Sequence, residues 1–187
     1  MWPMVLYIIG IGLSDEKDIS VKGLEAVRKC SRIYLEAYTS VLQVPLKRLE
    51  EFYGKKIIKA GRDLVESKAD SILDSAEKED TCLLVAGDPV SATTHIDIML
   101  RAQEKGIEVK VMHNASVLTA VGITGLQLYK FGKAASLPFP ENVKSEAAYD
   151  VIKQNMRGKM HTLVLLDLEP EKERFMTIRD AMSILNE

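Results

Sequence analysis

The chain alternates between short apolar runs and longer segments whose apolar residues recur every three or four positions. Residues 5–9 are unbroken apolar and end at Gly10-Ile11-Gly12, which predicts a buried strand. Residues 20–30 place Val21, Leu24, Val27 and Cys30 on one helical stripe, with Ser20 as N-cap. Residues 32–36 read as a strand and 45–53 as a short helix with proline in its first turn. Residues 56–59 make a weak edge strand. Residues 63–79 form a charged helix whose thin apolar face is Leu64, Ile72, Leu73 and Ala76. Residues 81–86 are the central strand. Residues 94–105 are a helix, amphipathic over 96–103 and ended by Gly106. Residues 109–112 are a strand, and 116–126 a helix rich in small residues. This alternation predicts an α/β fold, a parallel-rich sheet flanked by helices.

Residues 130–144 carry Phe131-Gly132, Pro138, Pro140 and Asn142, which are turn and linker residues. They predict an N-terminal α/β domain over residues 1–130 and a second over 131–187. The second contains a helix at 145–156, an apolar strand at 162–168 and a last helix at 177–185. One strand, or two with 135–137, is too few for an independent sheet, so this second α/β domain is expected to be incomplete.

Composition narrows the class. In 187 residues, 47% are apolar and 28% charged, the balance of a folded chain with a sizeable core. A net charge of -2 and the lack of a basic stripe argue against a nucleic-acid partner. The apolar amino terminus has no basic n-region or A-x-A site and is too short to cross a bilayer. No membrane span is expected. Cys30 and Cys82 form no CxxC pair, which points to a reduced, cytoplasmic setting. His95, His113 and His161 have no metal-ligand spacing, so no metal is expected.

Candidate chemistry gathers at the strand ends. Gly87-Asp88-Pro89-Val90-Ser91-Ala92-Thr93-Thr94-His95 follows the central strand and leads into a helix, where an open α/β sheet places its ligand. Asp88 is its one carboxylate, and the Ser/Thr run offers hydroxyl donors. Gly10-Ile11-Gly12-Leu13-Ser14-Asp15 follows the first strand. It lacks the third glycine of a dinucleotide fingerprint, although Glu36 stands where a ribose-binding acid would. Three readings stay open there: a nicotinamide site, a turn serving backbone geometry, or a glycine edge against another adenosyl cofactor. Asp88, Ser91 and His95 crowd into one loop without a G-x-S-x-G elbow, a poor basis for a hydrolytic triad. His113-Asn114-Ala115-Ser116 opens the next helix with Ser116 as candidate N-cap, and borders the same pocket. The small residues of Ala120-Val121-Gly122-Ile123-Thr124-Gly125 are expected to serve close helix packing.

Several segments together resemble the diphthine synthase family of tetrapyrrole-methylase-like methyltransferases. They are Leu6-Tyr7-Ile8-Ile9-Gly10-Ile11-Gly12-Leu13, Asp18-Ile19-Ser20-Val21-Lys22-Gly23-Leu24-Glu25, Glu36-Ala37-Tyr38-Thr39-Ser40, Gly87-Asp88-Pro89 through His95, His113-Asn114-Ala115-Ser116, and Ala120 through Lys133. The resemblance implies two α/β domains with S-adenosylmethionine bound in the cleft between them. It implies N-methylation of the 3-amino-3-carboxypropyl group on a histidine of translation elongation factor 2, a step in diphthamide biosynthesis, and a cytoplasmic homodimer. It places cofactor contacts on Leu13, Asp88, Ser91, Ser116, Val117 and Leu166, and names no catalytic residue. Family chains continue past the helix that begins at Met176-Thr177. Two other readings remain: a methylase of the same fold acting on a tetrapyrrole or other small molecule, and a non-catalytic fragment.

Overall fold

A computed structural model describes residues 4–67, 69–91, 95–143 and 146–186. The chain folds as two compact units, Met1–Val117 and Leu118–Glu187. The sequence expectation of 1–130 and 131–187 differs by the short stretch 118–130, which groups with the second unit.

The first unit is built on five parallel strands. They are β1 (Val5–Gly10), β2 (Arg32–Glu36), β3 (Ile58–Ala60), β4 (Thr81–Val85) and β5 (Glu108–Met112), in the order β3-β2-β4-β1-β5. Alternate side chains of the central strands feed two cores, as the period-2 geometry of a strand dictates. On one face, Leu6, Ile8, Leu83 and Val85 share a core with residues of two helices, Asp70–Ala76 and Ile96–Glu104. On the other, Ile9, Cys82 and Leu84 pack with α1 (Val21–Lys29) and α2 (Leu46–Tyr53). The helices of the first face are α3 (Asp70–Ala76) and α4 (Ile96–Glu104) in chain order. A sheet buried on both faces explains the continuous apolar runs of β1 and β4.

Local signals account for the helix ends. Ser20 accepts the Gly23 N–H at 3.1 Å, the cap expected from the sequence. Gly54 and Gly106 close α2 and α4 with φ of 71° and 72°. The two cysteines, remote in sequence, are both free and fully buried in one core. Burial pushes the Cys82 thiol well up, and its hydrogen bond with Cys30 adds to this.

The expected helix at 63–79 is not continuous. Residues Asp63–Ser67 wind as a π-helix, and α3 starts only at Asp70. Fully buried Ala69 lies in the turn between them. The buried positions Val65, Ala69, Ile72, Leu73 and Ala76 keep a helical spacing across the break, so periodicity alone could not see it. The weak edge strand at 56–59 is β3, shifted to Ile58–Ala60. The expected starts of two helices, Thr94 and Ser145, lie outside the described residues.

The helix expected at 116–126 is α-helical only over α5 (Val117–Ala120), then tightens to a 3₁₀ turn at Val121–Thr124. Neither piece buries a residue, and a Cβ at Gly122 would meet nothing within 4 Å. Close packing therefore does not explain these small residues. A helix without a buried face lacks the tertiary contact that sustains most helices.

The second unit holds two small sheets. Strand β6 (Ala135–Leu137) pairs in parallel with β7 (Val164–Leu166), and β8 (Leu168–Glu169) pairs antiparallel with β9 (Arg174–Phe175). The apolar run at 162–168 thus serves both. Asp167 separates them, accepting the Phe139 N–H at 2.9 Å. Helices α6 (Ala147–Arg157) and α7 (Ile178–Asn186) complete a small core around Leu137, Phe139 and Met176.

Candidate functional site

The strand order creates a switch point between β1 and β4. The chain leaves β1 toward α1 on one face of the sheet and leaves β4 toward α4 on the other. Open α/β sheets bind ligands at the carboxyl ends of such a strand pair, because the diverging connections leave a crevice. Three loops meet at that edge: 11–20 after β1, 86–91 after β4 and 113–116 after β5.

Glycines allow the loops to approach. A Cβ on Gly10 would lie 2.5 Å from the Gly87 carbonyl oxygen and 2.8 Å from Asn114 Cβ. Gly12 and Gly87 have φ of 82° and 76°, and the Gly87 N–H donates to the Gly12 carbonyl at 2.7 Å. A Cβ on Gly87 would stand 3.7 Å from both Leu13 Cδ2 and the Ala115 carbonyl oxygen, so it marks where all three loops converge.

Asp88 holds the β4 and β5 loops together. Its Oδ1 accepts from the Val90 N–H at 3.0 Å and the Ser91 hydroxyl at 3.1 Å. Its Oδ2 accepts from the Asn114 N–H at 3.1 Å and pairs with His113 Nδ1 at 2.9 Å. These partners fill about four lone-pair positions, the capacity of a carboxylate. Burial would raise the Asp88 carboxyl, but the bonds from Val90, His113, Asn114 and Ser91 outweigh it and hold it below the usual value.

Asn114 and Asp18 extend the network, and neither carries a chemical signal in the sequence that would single it out. Asn114 Nδ2 donates to the Gly10 and Asp18 carbonyls at 2.9 and 3.0 Å. Asp18 Oδ2 accepts from the Leu13 and Ser14 N–H groups at 3.1 and 2.8 Å. The Asn114 bonds join loops that are distant in sequence, and only the folded strand order brings them together.

Five of the six expected cofactor residues lie in the first unit. Asp88, Ser91, Ser116 and Val117 follow β4 and β5, and Leu13 follows β1. Leu13 and Val117 are exposed, while Asp88 and Ser116 are buried. Leu166 ends β7 in the second unit. Ala92, Thr93 and Thr94 lie outside the described residues.

The competing readings of this region meet specific obstacles. Glu36 is buried, and its carboxylate accepts from the Tyr38 and Thr39 N–H groups and the Thr39 hydroxyl, each at 2.7 Å. It is committed to its own turn rather than held out to a ribose. His95 is buried with Nδ1 against the Pro89 carbonyl at 3.2 Å, and Ser91 bonds Asp88 directly. Histidine does not stand between nucleophile and acid, so no triad forms. Among the described residues, no three His, Cys, Asp or Glu side chains converge as a metal set. No helix among them is long and apolar enough to cross a membrane.

The family model for tetrapyrrole (corrin/porphyrin) methylases matches residues 5–185. The chain belongs to this family. Within it, the diphthine methyl ester synthase of Schizosaccharomyces pombe is 53% identical over 170 residues, covering 90% of this chain and 60% of its own length. The Homo sapiens protein of the same name is 54% identical over 170 residues, with the same coverage of 90% and 60%. A crystal structure of a diphthine synthase superposes with a TM-score of 0.84 at 44% identity, covering 89% of this chain and 65% of that one. The chain thus spans 60% of the length of these curated relatives. This tetrapyrrole-methylase chain carries the parallel-rich, helix-flanked sheet expected from its sequence.

Proposed function

We propose that the chain is an S-adenosylmethionine-dependent methyltransferase of diphthamide biosynthesis. It methylates the 3-amino-3-carboxypropyl group on a histidine of translation elongation factor 2. The single observation that carries the reading is the glycine-lined convergence of three loops at the β1/β4 switch point, in a chain over half identical to diphthine methyl ester synthases.

The residues fit the cofactor. Glycines 10, 12 and 87 clear space at the strand ends. Leu13 and Val117 offer exposed apolar surface, and Ser91 and Ser116 stand on the loops that follow β4 and β5. Asp88 serves the cofactor by fixing both loops, since its own oxygens are taken up by protein donors. Leu166 is assigned to the cofactor on the family resemblance alone. Bound S-adenosylmethionine supplies the methyl group on a sulfonium. The protein's part is to align the acceptor with that methyl group and exclude water. The enzyme acts in the cytoplasm as a homodimer.

The acceptor atom has two readings. An amine nitrogen is the first. The relatives' name, a methyl ester synthase, favours a carboxylate oxygen of the same group as a second. Incubation with elongation factor 2 carrying the unmethylated group, followed by mass spectrometry before and after mild alkali, separates them. An N-methyl group survives alkali and an ester does not. Methylation of a porphyrinoid with none on elongation factor 2 would instead support the small-molecule methylase. Neither reaction, together with no S-adenosylhomocysteine binding, would support the non-catalytic fragment.

A further inference from the structure

The His113 imidazole has two differently placed nitrogens. Nδ1 faces Asp88 Oδ2 at 2.9 Å, and that carboxylate is nine-tenths buried. An ionised carboxylate only accepts, so Nδ1 carries the hydrogen and donates it. In the neutral ring this leaves Nε2 with a free lone pair. The side chain is 69% exposed, which opens that nitrogen to solvent and to an incoming acceptor. A carboxylate behind one nitrogen and an open lone pair on the other is the arrangement that orients a histidine base.

The placement is equally specific. His113 follows β5 directly and immediately precedes Asn114, which ties the β5 loop to the β1 loop. Ser116 and Val117, assigned above to the cofactor, come three and four residues later. Asp88 grips the loop through both the His113 ring and the Asn114 N–H. One carboxylate contacts the ring, and another belongs to the residue whose carbonyl Asn114 reaches. Asp88 comes from the β4 loop, and Asp18 from the β1 loop is committed to the Leu13 and Ser14 N–H groups. The imidazole is thus held at the rim of the strand-end site, anchored from behind by one nitrogen.

We propose that His113 Nε2 takes the proton from the acceptor amine before each N-methyl transfer, with Asp88 as the residue that positions it. The proposal rests on the methyltransferase reading above and on its amine branch. An ammonium group has no lone pair, so it must give up a proton to react. That proton passes to Nε2, and the amine lone pair forms the new N–C bond. The methyl–sulfur bond breaks with its electron pair going to sulfur, which becomes a neutral thioether. The positive charge now lies on the methylated nitrogen, and the exposed imidazolium returns its proton to water. A carboxylate oxygen already holds a lone pair at neutral pH and needs no such step. His113 therefore matters for N-methylation and not for ester formation.

Two measurements test this. The first is nitrogen-15 NMR of the whole chain. The ring of His113 should be the Nδ1–H tautomer in the wild type, and Asp88→Ala, which removes the acceptor, should abolish that preference. An Nε2–H tautomer in the wild type overturns the proposal. The second is N-methyl transfer to modified elongation factor 2 as a function of pH, for wild type and His113→Gln. The variant should be about 100-fold slower near pH 7, a usual contribution of a general base. The gap should narrow as the pH rises and the free amine forms unaided. An equal loss at every pH, or no loss, overturns the role of His113 while leaving the methyltransferase reading intact. A wild-type chain that makes only the alkali-labile ester refutes the amine branch, and the role of His113 with it.

Discussion

At the scale of single residues, two buried side chains link stability to acid in opposite local environments. Asp88 is stabilised as a carboxylate by four donors, so its folded-state pKa lies below the unfolded value. Its contribution is complete above the ordinary aspartate value of about 4 and is lost as the pH falls through the lower folded value. Asp88→Ala strands those donors and should cost about 2–4 kcal/mol in chemical denaturation. His95 acts in a higher window. Burial depresses its pKa against the opposing pull of Glu36, the Pro89 carbonyl and Glu66, so the folded state resists a proton that the unfolded chain accepts. Stability should therefore fall as the pH drops below about 6.5, the ordinary histidine value. His95→Gln should flatten the melting temperature between pH 7 and pH 5. An unchanged slope would mean that another group sets the acid sensitivity.

At the scale of elements, the strand ends shape the site and the strand centres hold the fold. Gly10→Ala directs a methyl group at the Gly87 carbonyl and Asn114, and backbone cannot yield cheaply. It should weaken S-adenosylhomocysteine binding at least tenfold in calorimetry while the sheet still forms. Leu84→Ala lies in the opposite situation. It hollows the fully buried centre of β4 and should cost about 2–5 kcal/mol with little effect on affinity per folded molecule. The elements with a complete local signal were legible in the sequence. β1 is a pure apolar run, and α1 carries both a stripe and a Ser20 cap. The π-helical turn at Asp63–Ser67 was not legible, because apolar spacing is the same on both sides of the break. The helix expected to continue through 121–126 was a misreading, because small residues mimic a packed helix, whereas packing depends on a partner surface. Asp88 was legible from its loop, but its partners were not. Its bonds to His113 and Asn114 span 25 and 26 residues and depend on β4 and β5 flanking β1.

For the whole molecule, the strand-end loops form one connected unit. Asp88 joins the second and third loops, Asn114 joins the third to the first, and the Gly12–Gly87 bridge joins the first to the second. A ligand seated on that ring should stabilise the first unit as a body and raise its unfolding temperature as the logarithm of ligand concentration increases. The most direct measurement is calorimetric titration of the chain with S-adenosylhomocysteine, with NAD as control and Gly10→Ala alongside. The expected result is saturable binding of S-adenosylhomocysteine alone, weakened at least tenfold in the variant. Binding of NAD instead, no binding of either, or equal affinity in Gly10→Ala would contradict a methyl-donor site at the β1/β4 switch point.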